Sequence, residues 1–197
     1  MAKRKSFNLL KEYKNSWNYV KDSKVFIYIV IGIFLFFILL GFFLPTPQLI
    51  YDAIVNYIRD ILAETENMSQ LDTISFIISN NIQSTFFGIL FGIFFGILPV
   101  VNAIMNGYIL GFVSSISVAN GGILTLWRLL PHGIFELPAV FISLGLGLKM
   151  GMFVFQKHKL KSLKNYLINS FKVFLFIIIP LLIIAGIIEG ALIFLLK

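Results

Sequence analysis

The sequence predicts an all-α membrane protein: a bundle of about five transmembrane helices, with a broken or re-entrant segment around residues 122–138. Three observations carry that expectation. Several apolar runs approach the ~20 residues that cross ~30 Å of hydrocarbon as an α-helix. Charged residues make up 13% of the chain, about half the ~25% of a soluble domain. The basic residues behind the net charge of +7 gather beside the apolar runs. Lys3, Arg4, Lys5, Lys11, Lys14, Lys21 and Lys24 precede the first run, and Lys157, Lys159, Lys161 and Lys164 lie between the last two. That bias sets basic segments on the cytoplasmic side, against anionic lipid. It predicts a multi-pass protein of the cell membrane with a cytoplasmic N-terminus and an extracytoplasmic C-terminus. No nucleic-acid module accompanies the charge, so nucleic acid is not an expected partner. The chain has no cysteine, which excludes disulfides, thiolate metal sites and a cysteine nucleophile.

Residues 6–22 read as an amphipathic helix on the cytoplasmic leaflet, with Phe7, Leu10, Tyr13 and Trp17 toward one side and lysines around them. Residues 25–44 form the first span, stopped by Pro45 and Pro47. A signal peptide fits less well, because the apolar run is of full spanning length and no A-x-A site follows. The connection over 45–72 carries Asp52, Asp60, Glu64, Glu66 and Asp72 against one arginine, Arg59, which suits the outer side. Within it, residues 48–62 have apolar positions at helical spacing. Two readings stand: a surface helix that closes the bundle, or a docking surface for an external partner. Ser69-x-x-Asp72 has the pattern that caps a following helix.

The apolar stretch 74–117 is too long for one span, and Pro99 with Asn102 divides it into span two, 83–98, and span three, 103–117. Asn120-Gly121-Gly122 marks a turn, and residues 122–136 make a short interfacial or re-entrant element with Trp127 at the interface. Span four covers 137–155 and span five 173–196. Small residues recur four apart: Gly88, Gly92 and Gly96; Gly107 and Gly111; Ser143, Gly147 and Gly151; Gly186 and Gly190. Such rows let helix backbones approach closely. On four successive helices they point to packing within the chain, with a homodimer seam, most naturally on span two, as the alternative.

The chemistry-bearing stretch is Pro131-His-Gly-Ile-Phe-Glu-Leu-Pro138. Between the prolines His132 and Glu136 stand at i and i+4, on one helical face. Pro138 has no N–H for the carbonyl of Ile134, so a break or kink is expected there. Ionisable groups at membrane depth face protein or a wet cavity. Glu189 is the other carboxylate in apolar surroundings, and Arg128, Asn102 and Asn106 are candidate neighbours. The group reads as a structural pin, a ligand or proton site, or a weak metal site of His132, Glu136 and Glu189. The last is limited by ligand number, since H-x-x-x-E is not H-E-x-x-H and His158 lies in the lysine-rich loop. There is no G-x-S-x-G elbow or phosphate loop, and no cofactor is expected. Asn102 and Asn106 bond between helices or line a polar cavity toward His132.

Pro131 to Ala139, followed by Ser143-Leu-Gly-Leu-Gly147-Leu-Lys-Met-Gly151 and preceded by Asn102…Asn106-Gly107-x-x-x-Gly111, resembles the stage II sporulation protein M family, also catalogued as domain of unknown function 95. The resemblance runs from about Thr85 to Gly190. It implies a multi-span membrane protein without an established catalytic residue. The best-known bacterial member acts with cell-wall-remodelling partners during engulfment. The leading expectation is a non-catalytic integral membrane component that assembles with other membrane or envelope proteins in membrane or envelope remodelling. A small proton-coupled transporter or channel built on His132, Glu136 and Glu189 is the rival. An intramembrane metal-dependent hydrolase is a weaker one.

Overall fold

The computed structural model describes residues 8–195, apart from the side chains of 128–132 and 135. Among the described residues the chain is helical and has no strand. Five helical segments are long and apolar enough to cross a membrane.

The first helix, α1 (Leu9–Asp22), is capped by Asn8, whose side chain accepts the Lys11 N–H at 3.0 Å. The amphipathic pattern is present, but the helix buries its other side. Ser16 and Val20 are buried, while Leu10, Tyr13 and Trp17 stay exposed. The chain passes through Ser23 into α2 (Lys24–Phe43), which ends where Pro45 and Pro47 forbid continuation. Next comes α3 (Gln48–Thr65), three residues longer than the helix expected there. It does not close the bundle: Ile54 is its one buried residue. The Tyr51 ring meets Phe112 edge-on at 5.5 Å, while Leu49, Tyr57 and Leu62 face outward.

The helix α4 (Gln70–Leu90) begins well before residue 83. Its cap is the Ser69-x-x-Asp72 pair: the serine oxygen accepts the Asp72 N–H at 3.3 Å and the hydroxyl donates to the carboxylate at 2.6 Å. One 3-10 turn extends it to Ile93. The hairpin then reverses at Phe94-Phe95-Gly96, with φ of 57° at Phe95 and 72° at Gly96, rather than at Pro99–Asn102. Pro99 sits in the first turn of α5 (Ile97–Gly121), where its missing N–H would have had no partner within the helix. The proline marks a helix start, and span three gains six residues at its front. Gly122, at φ 76°, ends α5 and returns its N–H to the Val118 carbonyl at 2.8 Å.

A 3-10 segment over Ile123–Leu129 leads into α6 (Leu130–Gly151). The expected break is absent: α6 continues through Pro138. Losing one hydrogen bond and absorbing one ring clash costs ~3 kcal/mol, which the packing of this central helix outweighs. Half of its spanning residues are buried, against 17% in α2, so α6 is the axis of the bundle. The expected loop over 157–164 is likewise mostly helix. After a 3-10 turn at Met152–Phe155, α7 (Lys159–Val173), a π-turn over Phe174–Ile178 and α8 (Ile179–Leu195) form one segment of 37 residues. The π-turn lies immediately before Pro180 and rearranges the backbone where that proline removes a hydrogen bond.

Helix contacts follow the glycines. The helices α2 and α5 run parallel, with Gly107 on the Phe34 carbonyl and Gly111 on that of Ile38. Likewise α4 and α6 run parallel, with Gly92 against Gly147 and Gly96 against Gly151. Antiparallel α8 seats Gly186 and Gly190 on Ile78 and Ile74 of α4. Around α6, the side chains Ile142, Leu146 and Met150 fill the core with Val173, Ile177, Ile178 and Leu182. A Cβ at Gly147 would overlap the Gly88 carbonyl, whereas one at Gly32 meets nothing within 4 Å. Gly147→Leu is therefore expected to destabilise the folded protein by about 1–3 kcal/mol or more, as overpacking does. Gly32→Leu should leave it unchanged. Equilibrium unfolding of both variants in bicelles checks the contrast, and equal stabilities would mean that the seam does not depend on close backbone approach.

Candidate functional site

Glu136 lies in the second turn of α6, toward the end of the bundle that carries α3. It is 8% exposed and accepts a hydrogen bond from Asn81 Nδ2 of α4 at 2.8 Å. Further along the seam the polar contacts are hydroxyl to backbone. The Ser143 hydroxyl donates to the Thr85 carbonyl, and the Thr85 hydroxyl donates to the Asn81 carbonyl at 2.7 Å. Gly88, Gly92 and Gly147 then bring the backbones together. A carboxylate in such a place needs donors, because lipid offers none. Asn81 supplies one from a helix 55 residues earlier in the chain.

The other expected members divide between several places. His132 keeps its i, i+4 register with Glu136 on a continuous helix. Its side chain and that of Arg128 lie outside the described residues, as does that of Pro131. Glu189 of α8 lines a groove of about 700 Å³ with Arg59 and Glu66 of the α3 region and Thr73 and Ile77 of α4. Both carboxylates thus face α4, Glu189 beside Ile77 and Glu136 on Asn81, one helical turn further on. Asn102 and Asn106 are elsewhere, in the first half of α5. Asn106 is exposed, and its amide donates to the Asn102 carbonyl and side-chain oxygen at 2.9 Å each. Neither reaches Glu136. Among the described residues no three His, Cys, Asp or Glu side chains gather as metal ligands. His158 precedes α7 at the opposite end, in an open groove with Lys157, Lys161 and Lys164.

A second polar cluster, at the α1 end, did not emerge from the sequence. Lys149 of α6 donates to the Ser23 hydroxyl at 2.9 Å and holds its ammonium 4.0 Å from the centre of the Tyr19 ring. Ser23 returns its own hydroxyl to the Tyr19 carbonyl at 2.7 Å. The Tyr19 and Ser170 hydroxyls are buried without a hydrogen-bond partner of good geometry among the described residues. Burial raises the Tyr19 phenol above its ordinary value, so it stays protonated and neutral at physiological pH. Beside this cluster Lys172 pairs with Glu12 at 2.7 Å, tying α7 to α1. One signal was available in the sequence: Lys149 is the one cation within the apolar run of span four.

The Glu136–Asn81 contact should appear as coupling. Asn81→Ala leaves a buried acceptor short of a donor, at a cost of about 1–3 kcal/mol. In the Glu136→Gln background the same truncation should cost less, by roughly 0.5 kcal/mol or more. A double-mutant cycle from bicelle unfolding measures it, and strict additivity would mean that the hydrogen bond contributes nothing.

Comparison with curated proteins and with solved structures returned no match. The family model described as stage II sporulation protein M matches residues 30–192, from the first third of α2 to near the end of α8. That span takes in three of the five membrane-crossing segments whole and most of the first and last, with the glycine seams and the Glu136 site. The chain is a membrane protein of the stage II sporulation protein M family.

Proposed function

We propose that this protein is a non-catalytic integral membrane component that assembles with other membrane or envelope proteins through its α3 end, in membrane or envelope remodelling. The observation that carries the reading is α3 itself. Only Ile54 of its 18 residues is buried, while Leu49 is 84% exposed and Leu62 62% exposed. Leu71, Ile123, Leu124 and Trp127 add exposed apolar surface at the same end. An amphipathic helix left largely off its own bundle has an apolar face to give to another surface. The Glu136 site supports the same reading, because its carboxylate is held by Asn81 within a tightly packed seam.

In the membrane the α1 end faces the cytoplasm and the α3 end faces outward. Lys11, Lys14, Lys21 and Lys24 join Lys157, Lys159, Lys161 and Lys164 at the α1 end, while Asp52, Asp60, Glu64 and Glu66 lie on and just after α3. This asymmetry follows the positive-inside rule and favours anionic lipid headgroups around α1, whose Leu10, Tyr13 and Trp17 are exposed among the lysines.

Gentle affinity purification from native membranes tests the proposal, with wild type compared against Leu49→Glu/Leu62→Glu. The expected result is a stoichiometric membrane or envelope protein that is lost from the variant while the amount of the tagged chain stays constant. A solitary chain that gives proton-coupled flux in liposomes, abolished by Glu136→Gln, would refute it.

A further inference from the structure

The two asparagines of α5 are at the wrong place for the Glu136 site and in an expensive place for lipid. The helix has 25 residues, and its faces are unequal. Ala103, Gly107 and Gly111 are buried, the two glycines against α2. On the outer side Val101 is 41% exposed and Met105 56% exposed, and Asn106 is exposed beside them. At 1.5 Å per residue, Asn102 lies about 8 Å and Asn106 about 14 Å from the start of α5. A helix of ~37 Å centred on ~30 Å of hydrocarbon enters it ~4 Å from its end, so both amides lie at apolar depth.

Their hydrogen bonding is half complete. The Asn106 amide uses its N–H groups on the Asn102 carbonyl and side-chain oxygen, both at 2.9 Å. The Asn106 side-chain oxygen and the two N–H groups of the Asn102 amide have no partner among the described residues. A lipid chain supplies neither donor nor acceptor, and unsatisfied amides at this depth cost several kcal/mol as a group transfer. A membrane protein leaves a half-buried Asn102 beside an exposed Asn106 at this depth when another helix covers them.

We propose that a second copy of this chain covers it: α5 packs on α5 about a two-fold axis, with the free Asn102 amide of each copy donating to the Asn106 carbonyl oxygen of the other. The unused set contains donors and an acceptor and carries no charge, so it is complementary to itself, as an isologous interface requires. Val101 and Met105 supply apolar contact beside it. The seam differs from the expected one on span two, whose glycines are already filled by α6. This face of α5 is separate from the exposed face of α3, and its partner is a different one.

The absence of cysteine makes the test direct. Met105→Cys, in the full chain in its native membrane, should give a disulfide-linked species of twice the chain mass on mild oxidation. Ile187→Cys, on the exposed face of α8 at 50% exposure, should give none. Adding Asn102→Leu/Asn106→Leu to Met105→Cys should cut the dimer yield about tenfold at limiting density, the scale of one or two interhelical amide bonds. No dimer at Met105→Cys, equal yields at both positions, or an adduct with a different protein would overturn the proposal. An undiminished yield in the leucine variant would overturn the role of the amides. The first comparison is made with both asparagines present, so its outcome does not depend on folding of the leucine variant.

Discussion

Backbone approach between helices is the constraint on which the bundle depends. In hydrocarbon, burying leucine against leucine gains little over leaving it in lipid, so cohesion comes from close van der Waals fit and from polar groups with nowhere else to go. Here the fit is set by glycines facing backbone: Gly107 and Gly111 against α2, Gly92 against Gly147, and Gly151 against Gly96. The alignment of α6 on α4 places Ser143 at the Thr85 carbonyl and Glu136 at Asn81. The polar site is therefore a product of the seam. Helices held a side chain further apart would separate the carboxylate from its donor.

The two ends of α6 have different chemistry. Toward α3 it presents Glu136, held by a donor from a neighbouring span. Toward α1 it presents Lys149, whose ammonium rests on the Tyr19 ring and the Ser23 hydroxyl. A basic group close to the lysine-rich end and an acidic one close to the acidic end reproduce, inside the bundle, the charge asymmetry of its surface. The Lys172–Glu12 pair extends α7 onto α1, so the amphipathic N-terminal helix is docked on the bundle through the side that carries Glu12, Ser16, Tyr19 and Val20. That leaves its apolar side free for the membrane interface.

Much of this was legible, for physical reasons. Spanning helices follow from apolar length, and glycines four apart need close neighbours whatever the partner is. The Ser69 cap is a local pattern and reads locally. Prolines misled, because proline ends a helix only where its N–H is needed and its ring has no room. Pro99 needed neither, and Pro138 was absorbed by a well-packed helix. Lysine-rich 157–164 read as a loop because charge suggested solvent, yet lysine is a good helix former and can continue a span into the headgroups. The Glu136–Asn81 bond was out of reach. Asn81 sits among Ser79, Asn80, Gln83 and Ser84 on a polar stretch of α4, and nothing in the local spacing singles it out.

The pairing of α4 with α6, in parallel and with α5 between them in the chain, fixes an order of assembly. A chain threads into the membrane from its N-terminus, and α4 is the least apolar of the five spans. When it arrives, the groups that will accept Asn81 and fill the glycine row have not been made. It must wait about one full hairpin, unsatisfied, until α6 is delivered. During that interval the insertion machinery or α2 and α5, which can already join through Gly107 and Gly111, must shelter it. The polar and glycine layers that make the finished seam specific are thus also what makes the half-built protein vulnerable.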